Sequence, residues 1–278
     1  AYADGQTMRK RQSPKRRKLK TNASVQKPTK KKATPKPVSI VEEIPVEEQH
    51  NVIFKPNEGP QTDFLAAGER EVLYGGSAGG GKSYAMLADP LRYMGHPEFS
   101  GLLLRHTTEE LRELIFKSQE MYPKIWKGIK WSERKMQWTA PSGARLWMSY
   151  LDREDDVLRY QGLAFSWIGF DELTQWPSPF AWNYMRSRLR STATDLPVYM
   201  RATTNPGGRG HHWVKKMFID PAPAGKAFEA RDLETGEVLR YPAGHEKAGK
   251  ALFKRRFIPA RLSDNPYLAT QGDYEAML

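Results

Sequence analysis

At 278 residues the chain can hold one large α/β domain with extensions and bury its core without covalent staples. It has no cysteine, which excludes disulfides, thiolate metal sites and a thiol nucleophile and suits a reducing cytoplasm. No apolar run approaches the ~18 residues of a membrane span, and the N-terminus lacks a signal-peptide core, so the expectation is a soluble chain with no membrane partner.

The net charge of +12 is unevenly placed. Residues 1–40 carry 13 Lys and Arg against Asp4 alone, which leaves 31 basic and 31 acidic residues in the rest. This basic arm, rich in Lys, Arg, Pro, Ser and Thr, has too little apolar surface to offset the entropy of ordering and is expected to be disordered. An acidic, proline-broken stretch follows from Val41 to Gln49. The division expected is an arm and linker over residues 1–50, one domain over 51–262, and the start of a further linker over 263–278.

Beyond the arm, strand and helix patterns alternate. Glu71 to Tyr74 reads as a short buried strand, followed by a glycine-rich turn and a helix from Lys82 to about Tyr93. Leu102 to Leu104 is a second apolar strand. Thr107 with Glu110 has capping-box spacing and opens a helix running to about Tyr122. Two strand-like runs over 130–150 flank Pro141-Ser142-Gly143 and predict a hairpin insertion. Phe165 to Phe170 and Val198 to Thr203 are further buried strands. Three strands end in polar chemistry, and ligands of open parallel sheets bind outside such carboxyl ends. The fold expected is a P-loop NTPase of RecA/ASCE type, a mostly parallel sheet flanked by helices.

The turn after the first strand is Gly76-Ser77-Ala78-Gly79-Gly80-Gly81-Lys82-Ser83, matching G-x-x-x-x-G-K-[ST] with strand before and helix after. Such glycines let backbone N–H groups wrap phosphate oxygens, Lys82 neutralises β- and γ-phosphate charge, and Ser83 ligates Mg²⁺. The bland alternative is a flexible glycine loop that happens to precede Lys-Ser. Tyr84, next on the helix, joins the candidate nucleotide contacts.

Asp171-Glu172 closes an apolar strand about 90 residues later, where a Walker B pair belongs. Asp171 would hold Mg²⁺ while Glu172 orients or deprotonates the attacking water. Read without the phosphate loop, the pair could be a helix N-terminal charge pair. Thr203-Thr204-Asn205-Pro206 ends the next strand, where polar groups can bond differently to ATP and ADP and move the Gly207-Gly208-Arg209-Gly210 loop. The alternative there is plain turn chemistry.

These residues together resemble the ATPase domain of the large terminase subunit of tailed bacteriophages. The resemblance spans about residues 51–278. It rests on Gln61 with Phe64-Leu65, GGSAGGGKS, Leu103-Leu104-Arg105 with its helix, the turn at Pro141-Ser142-Gly143, RYQGLAFSWIGFDE, ATTNP and FIPARLSDNPYL. It implies that Gln61 reads the adenine edge and that Thr203, Thr204 and Asn205 form the coupling motif. It implies a ring, of five subunits, on the portal of a procapsid in the host cytoplasm, translocating double-stranded DNA with a small terminase subunit as partner. It also implies an arginine acting on the neighbouring subunit's phosphate, for which Arg159 is the candidate, with Arg105 and Arg153 as alternatives.

Large terminases normally continue into a nuclease domain, whereas this chain has only Asp273 and Glu275 among acids beyond Asp264, so no DNA cleavage is expected from it. The arm could bind DNA phosphates, dock on an acidic face of a partner or simply solubilise. Arg209, Lys215 and Lys216 are candidates for a DNA grip, and His211-His212 suits a loop better than a metal. The eight tryptophans fit core packing. Two rivals remain: a helicase-type translocase, which needs a second RecA-like domain, and a nucleic-acid-binding assembly protein with a structural nucleotide site.

Overall fold

Nine strands form one sheet in the order β3-β4-β5-β2-β6-β7-β1-β9-β8, in a computed structural model that describes residues 54–264. The basic arm, the acidic stretch after it, and Asp273 and Glu275 lie outside the described residues. In chain order the elements are α1 (Pro60–Ala66), β1 (Glu71–Gly76), α2 (Lys82–Ala88), β2 (Ser100–Arg105), α3 (Thr108–Ile125), β3 (Lys130–Ser132), β4 (Gln137–Thr139) and β5 (Arg145–Tyr150). They continue with β6 (Trp167–Phe170), α4 (Phe180–Arg186), β7 (Tyr199–Thr204), α5 (His211–Val214), β8 (Ala227–Glu229) and β9 (Lys254–Ala260). From β5 to β9 the neighbours run parallel, and β3, β4 and β8 add antiparallel edges.

Parallel strands covered on both faces need apolar side chains pointing both ways. In β2, Leu102 and Leu104 enter one core with Phe170, Trp182 and Val214, while Leu103 enters the other with Met86, Leu111 and Leu114. Helices α2 and α3 therefore cover one face, and α4 and α5 the other. The sheet is the mostly parallel, helix-flanked arrangement read from the sequence.

Several details differ. Helix α2 stops at Ala88 and continues as a 3₁₀ turn from Asp89 to Tyr93, because Pro90 has no N–H for the α-helical ladder. Helix α3 forms the capping box at Thr107 and Glu110 but runs on to Ile125 with Pro123 inside it. Buried Tyr122, whose hydroxyl donates to the Leu87 carbonyl at 2.8 Å, holds that last turn in place. The hairpin expected across Pro141-Ser142-Gly143 forms as the antiparallel pair β4 and β5, but it belongs to the main sheet: the run before Pro141 also folds back on itself at Glu133–Met136, and β5 joins β2 in parallel. Leu146 and Met148 drive this by entering the core beside β2. Strand β6 begins at Trp167, two residues later than the sequence pattern suggests, and Phe165 makes only an isolated bridge to Leu189. Strand β7 is shifted by one residue. Strands β8 and β9 have no counterpart in the sequence pattern.

Candidate active site

The strand order places β7 between β6 and β1, so the carboxyl ends of all three, with that of β2, face one cleft of about 420 Å³. Its walls are Ala78 to Tyr84, Arg105, Glu113, Lys117, Glu172 and Asn205. The phosphate loop leaves β1 at Gly76, whose φ of 144° and 2.0 Å clearance from a Cβ to the Ala260 carbonyl oxygen admit no side chain. Ser77 N donates to that same carbonyl at 3.0 Å, and the Tyr74 hydroxyl donates to the Gly80 carbonyl at 2.8 Å from beneath. Gly81, at φ 72°, turns the chain into α2.

Lys82 is buried and folded over the loop, its Nζ donating to the Ser77 carbonyl at 2.5 Å and to that of Gly76 at 3.4 Å. Burial pushes its ammonium below the ordinary value, while the charges of Glu172 and Asp171 pull it up. Ser83 follows at the cleft wall, and Tyr84, 43% exposed, stands at its rim under the Lys117 ammonium.

Asp171 is buried at the end of β6. Its Oδ1 accepts from the Thr203 hydroxyl, and its Oδ2 lies 3.1 Å from Arg105 Nε without a well-aligned hydrogen bond. Glu172 adopts the left-handed region at φ 61°, ψ 55°, unusual for a residue with a Cβ and a form of strain found at functional sites. Both its carboxylate oxygens are occupied: Oε1 accepts from Asn205 Nδ2 at 2.9 Å and Oε2 from Asn205 N at 3.0 Å. Burial and the neighbouring Asp171 push the Glu172 carboxyl above its ordinary value, against the opposing effects of Asn205, Arg105 and Lys82. A raised carboxyl suits a proton acceptor.

Thr204 turns the other way, its Oγ1 lying 2.8 Å from Thr174 Oγ1. Gly210 N donates to the Thr174 carbonyl at 2.7 Å, so the loop after β7 is bound to the turn after β6. Substituting Asn205 by alanine removes one of two charge-assisted bonds on Glu172.

Gln61 is brought to the phosphate loop, but its amide is already engaged. Its Oε1 accepts from Asn57 N at 2.6 Å and its Nε2 donates to the Gly81 carbonyl at 2.9 Å, which fixes the amide orientation. Arg159 stands apart from the cleft, on the rings of Tyr150 and Tyr160, with Nε donating to the Asp156 carbonyl at 3.2 Å. Arg153 is exposed beside Asp155. Arg105, the other alternative, is 8% exposed and lines the cleft of its own chain.

Arg105, Glu113 and Lys117 are cleft residues whose place the sequence did not reveal. The Glu113–Lys117 spacing of four was a visible signal, but such pairs usually face solvent. His211 Nδ1 accepts from Gly207 N at 3.2 Å, and no cluster of metal-ligating side chains occurs among the described residues. A larger cleft of about 500 Å³ lies at the amino ends of β1, β7 and β9. Two of its arginines, Arg92 and Arg201, are committed to Asp89 and to backbone carbonyls, so it reads as part of the scaffold.

Comparison with known proteins places this geometry. The family described as terminase large subunit, T4-like-virus type, N-terminal, matches residues 73–237, more than half of the chain. The large terminase of a thermophilic bacteriophage shares the fold with a TM-score of 0.56 at 18% identity, over 81% of this chain and 51% of that one. The same terminase in complex with ADP gives 0.53 at 17% identity, over 81% and 50%. The ATPase domain of the Thermus phage P74-26 large terminase gives 0.52 at 12% identity, over 80% and 87%. The chain thus spans about half the length of the first of these terminases. No curated protein sequence matches it significantly. With the phosphate loop, the acidic pair and the Thr-Thr-Asn strand end gathered around one cleft, the chain belongs to the family of phage terminase large subunits.

Proposed function

We propose that this chain is an ATP-hydrolysing motor that drives double-stranded DNA through a portal into a procapsid. The observation that carries the reading is the convergence of Lys82, Asp171, Glu172 and Asn205 at one cleft on adjacent strand ends. Family membership and the terminase folds it resembles support the same reading.

In this reading Lys82 exchanges the loop carbonyls for phosphate oxygens. The attacking water is oriented by Glu172, which takes its proton as the new P–O bond forms and the bond to ADP breaks. Ser83 and Asp171 would hold Mg²⁺, Asp171 through water while its Oδ2 stays with Arg105, and a hydroxyl with a carboxylate is a donor set that suits this ion. When bound, that ion neutralises charge on the phosphate oxygens. The two bonds from Asn205 lower the basicity of Glu172 and leave acceptor positions for the water, and the Asn205 backbone leads through Pro206 to Gly207 and Gly208. A change at the carboxylate is thereby tied to movement of the loop.

Gln61 is proposed to read the adenine edge, which requires its amide to exchange the bonds to Asn57 and Gly81. Arg159 is proposed to act on a neighbouring subunit in a ring of five, and the portal and a small terminase subunit are the proposed partners. The site of action is the host cytoplasm at the procapsid vertex. ATP titration by calorimetry, with and without Lys82→Ala, is the direct test, joined to ATP turnover with duplex DNA and portal. Uptake of ATP that depends on Lys82, and hydrolysis raised by DNA, is the expected result. Absence of ATP uptake by the wild-type chain overturns the proposal.

A further inference from the structure

We propose that Arg105 is the chain's own ligand for the terminal phosphate of ATP, with Asp171 as the counter-ion that positions it. The inference rests on the ATPase reading and adds a phosphate-binding residue to it.

Arg105 ends β2, the neighbour of β6, and its guanidinium crosses to Asp171, Nε to Oδ2 at 3.1 Å. The other fully buried arginines each make several side-chain hydrogen bonds, although the Nε of Arg201, like that of Arg105, has no well-aligned partner. Arg201 donates to the carbonyls of Ala67, Glu69 and Met200, and Arg255 donates to Glu71 and to the Arg231 carbonyl. Arg105, at 8% exposure, donates no side-chain hydrogen bond among the described residues, and Nε and Asp171 Oδ2 both lack a partner of good geometry. A guanidinium has five N–H donors in a fork that matches phosphate oxygens, and here only Nε is buried without a well-aligned partner, which leaves the terminal amino groups for a ligand. It lines the cleft that holds the phosphate loop and Glu172.

Charge points the same way. On the cleft wall Glu113 and Lys117 pair with each other, leaving Lys82 and Arg105 against Glu172 and the buried Asp171 beside it. Lys82 is the one cation within the phosphate loop itself. Without Arg105 the cleft would be net negative before an anionic nucleotide entered. With it the two carboxylates are balanced, and the cleft has a fork-shaped donor as well as the ammonium of Lys82. A terminal phosphate recruits Arg105, whereas ADP, lacking that group, leaves it with Asp171.

The test is calorimetric titration of the full chain with ATP and with ADP, in wild type, Arg105→Gln and Arg105→Lys, with Lys82→Ala as reference. Arg105→Gln is expected to weaken ATP at least about tenfold and ADP less than about threefold, and Arg105→Lys to recover part of the ATP affinity. Equal weakening of both nucleotides, or unchanged ATP affinity, overturns the proposal. If Arg105→Gln alone does not melt cooperatively, the same ratio is read from Arg105→Gln combined with Asp171→Asn, against Asp171→Asn alone. A wild-type chain that binds neither nucleotide overturns the ATPase reading. One whose ATP binding depends on Lys82 but not on Arg105 overturns this assignment alone.

Discussion

Replacing Glu172 by glutamine is expected to lower ATP turnover by about 10²- to 10⁴-fold while ATP binding changes little. Glutamine preserves the shape of the side chain and can still meet Asn205, so the strand ends stay together. What it loses is the ability to accept a proton from water. The binding groups Lys82, Ser83 and Asp171 are untouched, which separates affinity from turnover. Alanine at the same place should match glutamine in turnover, and it inherits the same left-handed backbone, so backbone strain does not distinguish the two variants. Steady-state phosphate release together with calorimetric ATP titration checks both halves. Turnover within a few-fold of wild type in both variants would show that Glu172 is not the proton acceptor.

Replacing Glu71 by alanine is expected to destabilise the fold by roughly 3–5 kcal/mol. Glu71 begins β1 at no solvent exposure, paired with Arg186 and with Arg255, while Trp182 Nε1 donates to it at 3.3 Å. Removing the carboxylate leaves the Arg255 guanidinium buried at 1% exposure without its counter-charge. The pair also predicts a pH dependence. Burial by itself would raise the Glu71 carboxyl, but Arg186 and Arg255 outweigh it and hold the group below its ordinary value of 4.5. The unfolded chain therefore binds this proton more readily than the folded one, and stability rises with pH across that interval. The contribution is full above about pH 4.5 and is lost as pH falls through the folded value. In urea melts the wild type should weaken through this window, and a Glu71→Gln chain should lose less there. Identical acid profiles would show that the carboxylate carries no net charge-pair stability.

The phosphate loop, the acidic pair and Thr203-Thr204-Asn205 were legible in the sequence because each is a contiguous run at the end of an apolar strand. The parallel sheet was legible for the same reason: runs such as Leu102-Leu103-Leu104 bury both faces. Arg105 was visible as a residue but not as a cleft group, since its place depends on β2 lying beside β6, a pairing no local pattern encodes. Strand β9 was hidden by Lys254-Arg255-Arg256, which reads as a solvated run. Arg255 can be buried there because Glu71, 184 residues earlier, supplies its charge. The split of the run before Pro141 was missed because its turn at Glu133–Met136 contains no glycine or proline, and Met136 itself takes the positive φ of 47°.

Strand β9 has a practical consequence for anyone dividing this protein. The carbonyl of Ala260 clamps Ser77 N and roofs Gly76, yet it lies beyond residue 237, where the family match stops. A fragment cut to that match would keep all of the contiguous nucleotide-binding motifs and lose the strand that braces the glycine loop from behind. Such a piece should be judged by its nucleotide uptake, because its sequence alone would make it look complete.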